Sequence, residues 1–254
     1  MNATTIVAGE EISGTWFRGW GPWFAAVVAV AFSGIAIGLG YSSQLNLLDA
    51  REGLAVVVRM SIGVGALLVV LSMADSISGM RDRSTLEPLL LTPITGRSLL
   101  GGKLLAAGSG WVVVFLISLP YLYVIGDGLG TIALAVGLSV VLGALLSITF
   151  GAGAAVLSIR SRTNLQTLGV GLLGLALLAI PLLLPASVLR NPIGELLVRA
   201  DPMSAAQHLI GALIVDEATL ASEVSWFLSP VLAALITSWL LWKSARFIEL
   251  EPGI

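Results

Sequence analysis

The wide spacing of its charges is what most limits how this chain can fold. Stretches such as 129–157 and 165–187 carry no Asp, Glu, Lys or Arg. Each exceeds the roughly 20 residues a helix needs to cross a ~30 Å hydrocarbon core. Only 11% of the 254 residues are charged and 57% are hydrophobic, whereas soluble domains carry about a quarter charged residues. With a mean hydropathy of +0.99, a water-soluble globular fold is excluded, and an all-α integral membrane fold is expected. A membrane β-barrel needs short segments of alternating polarity, which runs such as Val64–Val70 and Leu172–Ile180 lack. The net charge of −2 gives no basic footprint for nucleic acid, so no nucleic-acid partner is expected. The absence of cysteine removes disulfides, thiolate catalysis and cysteine metal sites.

Apolar runs bounded by charges and turn formers place six transmembrane helices, at about 23–40, 54–74, 102–125, 129–157, 165–187 and 226–243. Met1–Glu11 lacks the basic start of a cleavable signal, so the first span is expected to be retained. Basic residues favour the cytoplasmic flanks. With both termini cytoplasmic, that side collects Arg18, Arg81, Arg83, Arg97, Lys103, Arg160, Arg162, Lys243 and Arg246, nine of the 13 basic residues. Arg51, Arg190 and Arg199 fall on the other side, and Arg59 lies within the second span near that face. Trp16, Trp20, Trp23, Tyr121, Tyr123, Trp226 and Trp242 mark span ends, where amphipathic rings anchor helices at headgroup depth.

The whole chain, 1–254, reads as one transmembrane domain with three ordered segments outside the spans. In the N-terminal segment 1–22, Ile12, Trp16, Phe17 and Trp20 suggest an interfacial helix over Glu10–Pro22, interrupted by Gly14, Gly19 and Gly21. In the extracytoplasmic segment 188–225, Asn191-Pro192 and Asp201-Pro202 each read as a helix start, giving short helices of about nine residues, with a loose loop as the alternative. The third is the cytoplasmic segment 75–101. Ser84 and Glu87 there have capping-box spacing, so a short helix can begin with its free N–H groups satisfied. Pro93 stops that helix before Thr92, and Thr95 is placed to start the next one. The result presents Leu86, Leu89, Leu90 and Leu91 on the cytoplasmic side. Two readings stand, leucines lying on the membrane interface or leucines docked, with Glu87, Arg81 and Arg83, in a groove of a soluble protein.

The run Thr85-Leu86-Glu87-Pro88-Leu89-Leu90-Leu91-Thr92-Pro93, followed by Arg97, Leu99, Leu100, Gly102 and Lys103, resembles the hallmark of permease subunits of type-2 ATP-binding-cassette exporters. Members usually have Gly where Ser84 stands. The resemblance implies a six-span permease in the cytoplasmic membrane that pairs with a second copy or a paralogous permease and is driven by two ATPase subunits. ATP and Mg would sit on those partners, and no cofactor or metal is expected in this chain. It further implies that Arg81, Asp82, Arg83, Thr85, Leu86, Glu87, Leu89, Leu90, Leu91, Thr92 and Pro93 form the coupling contact, with Arg160 and Arg162 in a smaller one at 160–164. Spans two and five would line the path, which brings in Gly169, Gly171 and Gly174.

Motifs of catalytic appearance have plainer explanations. Gly96–Leu104 misplaces the first glycine of a P-loop and has Leu where a magnesium-binding Ser or Thr belongs. Gly169-Val170-Gly171-Leu172-Leu173-Gly174 matches a dinucleotide fingerprint, yet lies inside an apolar run without the strand and acid that motif requires. Helix packing accounts for it better, as it does for Gly34 with Gly38 and Gly151 with Ala155. His208, the one histidine, cannot build a metal site alone. Arg59 either snorkels to the headgroups, the favoured reading, or lines the outer mouth of the path. An embedded enzyme would need a nucleophile with a base in reach, and Gly108-Ser109-Gly110 has no intramembrane partner. An ion-coupled transporter would show inverted repeats and midplane charges, and neither stands out.

Overall fold

A computed structural model describes residues 3–41, 47–83, 95–161, 163–183 and 191–248. Among these the chain is helical nearly throughout and contains no strand. Helix α1 spans Ala3–Trp16, α2 Gly21–Tyr41, α3 Leu47–Ala74 and α4 Ser78–Asp82. Then come α5 (Gly96–Gly126), α6 (Ile132–Arg160), α7 (Asn164–Leu183), α8 (Pro192–Ala200) and α9 (Pro202–Ile210). A π-helical turn, Gly211–Val215, leads to α10 (Leu220–Glu223), and α11 (Leu228–Ser244) closes the bundle. Five helical stretches are long and apolar enough to cross a membrane, namely Gly21–Gly38, Ala50–Asp82, Gly96–Gly126, Ile132–Arg160 and Leu220–Ser244. The chain is thus a multi-pass helical membrane protein. The fifth predicted span falls on α7, whose apolar stretch Asn164–Ile180 is shorter than those five.

Helix α3 is the hub, packed along both α5 and α6, while α1 and α2 lean on α5 and α11 on α6. With lipid outside, apolar contact with a neighbour gains little over apolar contact with lipid. Small residues and buried hydrogen bonds therefore have to fix the helix pairs. Trp111 of α5 supplies one wedge. A Cβ added at Gly65 of α3 would lie 2.6 Å from its ring, and one at Gly143 of α6 would lie 2.2 Å from it. Those two glycines form the slot that the indole fills. Gly151 is similarly close to Val69 and Leu104, and Ala155 is fully buried. Gly34 and Gly38 face open space instead. Polar links add register: the Ser118 hydroxyl donates to Ser61 at 3.2 Å between α5 and α3. On α2, Ser33 is 2.6 Å from the Tyr121 hydroxyl of α5.

The N-terminal helix begins and ends earlier than the aromatic spacing predicts. Its last residue is Trp16, and the chain then reverses tightly into α2. A Cβ at Gly19 would meet the Gly14 carbonyl at 2.8 Å, and one at Gly21 would meet the Trp16 ring at 2.6 Å. Gly19 and Gly21, two of the three glycines that weaken a helix over Glu10–Pro22, permit this reversal. Helix α1 lies along α5 through Val7 against Gly102, where a Cβ would sit at 2.8 Å. Glu11 pairs with the buried Lys103, and the Trp16 indole N–H donates to Ser109 at 2.8 Å.

Within segment 188–225 the structure describes residues 191–225, and one feature there is absent from the sequence reading. Both proline-led helices form, over Pro192–Ala200 and Pro202–Ile210, but α9 and the π turn are sunk into the end of the bundle. Ala205, Ala206, Leu209, Ile210, Leu213 and Ile214 are all essentially inaccessible. Burial of this helix start is tolerable because the Asp201 carboxylate accepts from the Met203 and Ser204 amides at 3.3 and 2.7 Å. Asp201 is itself 7% exposed. The turn after the π segment holds Glu217 at φ 54°, in the left-handed region. Its carboxylate pairs with Arg51 at the start of α3.

Candidate functional site

At the end of the bundle opposite α9, three elements meet: the α3–α4 turn, α4 itself and the short connection from α6 to α7. The junction begins with a helix-end problem. Where α3 breaks after Ala74, the carbonyls that close α3 and the amides that open α4 lose their intrahelical partners. Ser158, in the last turn of α6 and fully buried, meets both needs. Its hydroxyl accepts from the Ile77 and Ser78 amides at 3.1 and 2.9 Å and lies 2.8 Å from the Ala74 carbonyl, to which it donates.

Charged groups lie over this apolar and hydroxyl layer. Asp75 accepts from the Arg83 guanidinium at 2.8 Å and from the Asn164 side-chain amide at 2.7 Å. Gly79 makes room for that crossing, since a Cβ there would lie 1.9 Å from the Asp75 carboxylate oxygen. Asp82 accepts from the Asn164 backbone N–H at 2.8 Å, placing negative charge at the amino end of α7, where the helix dipole favours it. Arg81 donates to the Ser161 carbonyl at 2.6 Å, a cation at the carboxyl end of α6. The hydrogen bond to Asp75 raises the Arg83 pKa, and the field of that carboxylate reinforces it against desolvation. Arg83 therefore stays charged at any working pH. Because both partners are exposed, the pair is sensitive to salt.

The structure thus brings together the start of segment 75–101 and the connection at 160–164, which lie some 80 residues apart in sequence. Of the residues implied by the family resemblance, Arg81, Asp82 and Arg83 sit in this junction. Arg160 is exposed beside it. Thr85, Leu86, Glu87, Leu89, Leu90, Leu91, Thr92, Pro93 and Arg162 lie outside the described residues, as does the Ser84 capping box. Thr95 caps α5, accepting from the Ser98 amide at 3.2 Å. Arg97 lies over the Trp242 ring, 4.1 Å from its centroid, tying the start of α5 to the end of α11. Asp75, Gly79, Ser158 and Asn164 complete the junction and belong to no motif. The only sequence signal of Asp75, Ser158 and Asn164 is a polar residue near a span end, and Gly79 carries none.

The path candidates do not assemble into one site. Arg59 packs against the π turn at the far end, where a Cβ at Gly211 would lie 3.1 Å from its Nη2. Its Nε is buried without a hydrogen-bond partner. Helix α3 starts at Leu47, which sets Arg59 about 18 Å along the helix at 1.5 Å per residue. Gly171 lies near Val70, towards the other end of α3, while Gly169 and Gly174 face open space. His208 is 3.2 Å from the Glu223 carboxylate and stacks on Trp226. No family model matches the chain, and no curated protein matches it in sequence.

Proposed function

We propose that this chain is the permease subunit of a type-2 ATP-binding-cassette exporter, with the end of the bundle built around Asp75 and Arg83 facing the cytoplasm. Six spans, both termini cytoplasmic, a coupling helix at Ser84–Thr92 and partnership with two ATPase subunits and a second permease all belong to this proposal. The observation that carries it is the junction itself. Just before the Thr-Leu-Glu to Thr-Pro motif, Arg81 is bonded to Ser161 and Asp82 to Asn164 of the α6–α7 connection, and Arg83 is linked to Asn164 through Asp75.

A force applied to the motif would pass through these bonds to α3, α6 and α7 together. The chain performs no chemistry in this reading. It holds two helix arrangements, and nucleotide-driven closure of the ATPase subunits biases between them. The glycines of α7 that face open space, Gly169 and Gly174, allow close approach of a second permease. Arg59 lines the mouth of the path at the far end. An embedded enzyme or an ion-coupled carrier would leave the charged junction without a role.

The test is made in the purified complex. Glu87→Ala combined with Leu90→Asp is expected to separate ATP hydrolysis from permease movement, read as loss of the nucleotide-dependent change in fluorescence of a probe on α7, with the spans still folded. Wild-type coupling in that variant would refute the docking assignment.

A further inference from the structure

The far end carries a second feature, a groove of about 480 Å³ between the end of α8 and the start of α11. Its floor is Leu228, Leu232, Ala233 and Ile236, and its rim is Arg199, Ser225 and Trp226. Leu228, Leu232 and Ile236 are 60%, 45% and 56% exposed. They recur every four residues, so they form one ridge about 12 Å long on α11. The Ser229 hydroxyl donates to the Ala200 carbonyl at 2.9 Å, fixing the two walls together. Helix α8 continues the apolar surface, with Ile193, Leu196 and Leu197 all exposed.

One charge stands over this apolar channel. The Arg199 guanidinium carbon is 4.9 Å from the Trp226 ring centroid. Its carboxylate partner is Glu195 on the same helix, at 3.2 Å with both side chains more than half exposed. Such a pair is weak and readily exchanged for a better acceptor. Among the described residues, His208 stacks on Trp226 and is paired with Glu223. A phosphate offers Arg199 two acceptor oxygens in the geometry its fork prefers, and tryptophan favours the depth at which phosphates lie.

From this arrangement we infer a phospholipid site. The phosphodiester binds Arg199, assisted by the exposed Ser225 hydroxyl, and one acyl chain lies along Leu228, Leu232 and Ile236. A second copy of the chain is the less suitable occupant, because a cation over an apolar channel matches an amphiphile end to end. The site does not depend on an ATPase, so its test uses this chain alone and stands or falls separately from the exporter reading.

The full chain in detergent is titrated with palmitoyl-oleoyl phosphatidylglycerol or the matching diacylglycerol, and adducts are counted by native mass spectrometry. One tightly held phospholipid per chain is expected, with about tenfold preference over the diacylglycerol. Arg199→Gln should remove that preference, and Leu232→Trp, which fills the channel, should abolish the adduct, with elution profiles unchanged. Equal retention of both lipids, or wild-type retention in Arg199→Gln and Leu232→Trp, would overturn the assignment. So would a dimer that Leu232→Trp converts to monomer with no change in bound lipid, since the groove would then be a contact between copies.

Discussion

Ser158 and Gly79 show how much of the junction rests on single atoms. Removing the Ser158 hydroxyl leaves the Ile77 and Ser78 amides without their acceptor in a fully buried place. Ser158→Ala is therefore expected to cost about 1–3 kcal/mol of stability, measured as a lower melting temperature in detergent. Gly79→Ala would push the Asp75 carboxylate out of its bonds to Arg83 and Asn164. It should lower the melting temperature more than Asp75→Asn does, because a steric clash adds to the lost ion pair. Equal melting temperatures would mean that the carboxylate moves aside freely. Neither residue stands out in the sequence, where Ser158 is one of several serines near span ends. Its importance depends on which helix break it faces, and that is a tertiary fact.

At the scale of elements, five of the predicted spans were legible because each is set by its solvent: a helix in hydrocarbon must be apolar along its length whichever neighbour it meets. The contacts between helices were less so. Gly34 and Gly38 carry the glycine-glycine spacing yet face open space, whereas Gly65 and Gly143, with only serines at that spacing, hold Trp111. Gly143→Val should accordingly reduce the yield of folded protein and lower the melting temperature, and Gly34→Val should leave the isolated chain unchanged. Loss of folding in the α2 variant would show that this surface packs within the subunit. The burial of α9 escaped sequence reading for a related reason. Its short apolar run looks like any surface helix until Asp201 caps it and α3, α6, α7 and α11 surround it.

For the molecule as a whole, scarce charge identifies the solvent, and the placement of that charge distinguishes the two ends. One end gathers Asp75, Arg81, Asp82, Arg83 and Asn164 into a bonded junction beside Arg97 on Trp242. The other buries α9, with Arg59 against the π turn. The central claim is that an ATPase attaches at the end that holds this junction. Tagged co-purification from the native host in mild detergent, with mass-spectrometric identification of bound subunits, tests that claim most directly. The account predicts an ATP-binding-cassette subunit recovered with the wild-type chain. Recovery of the folded chain with no nucleotide-binding subunit would contradict it.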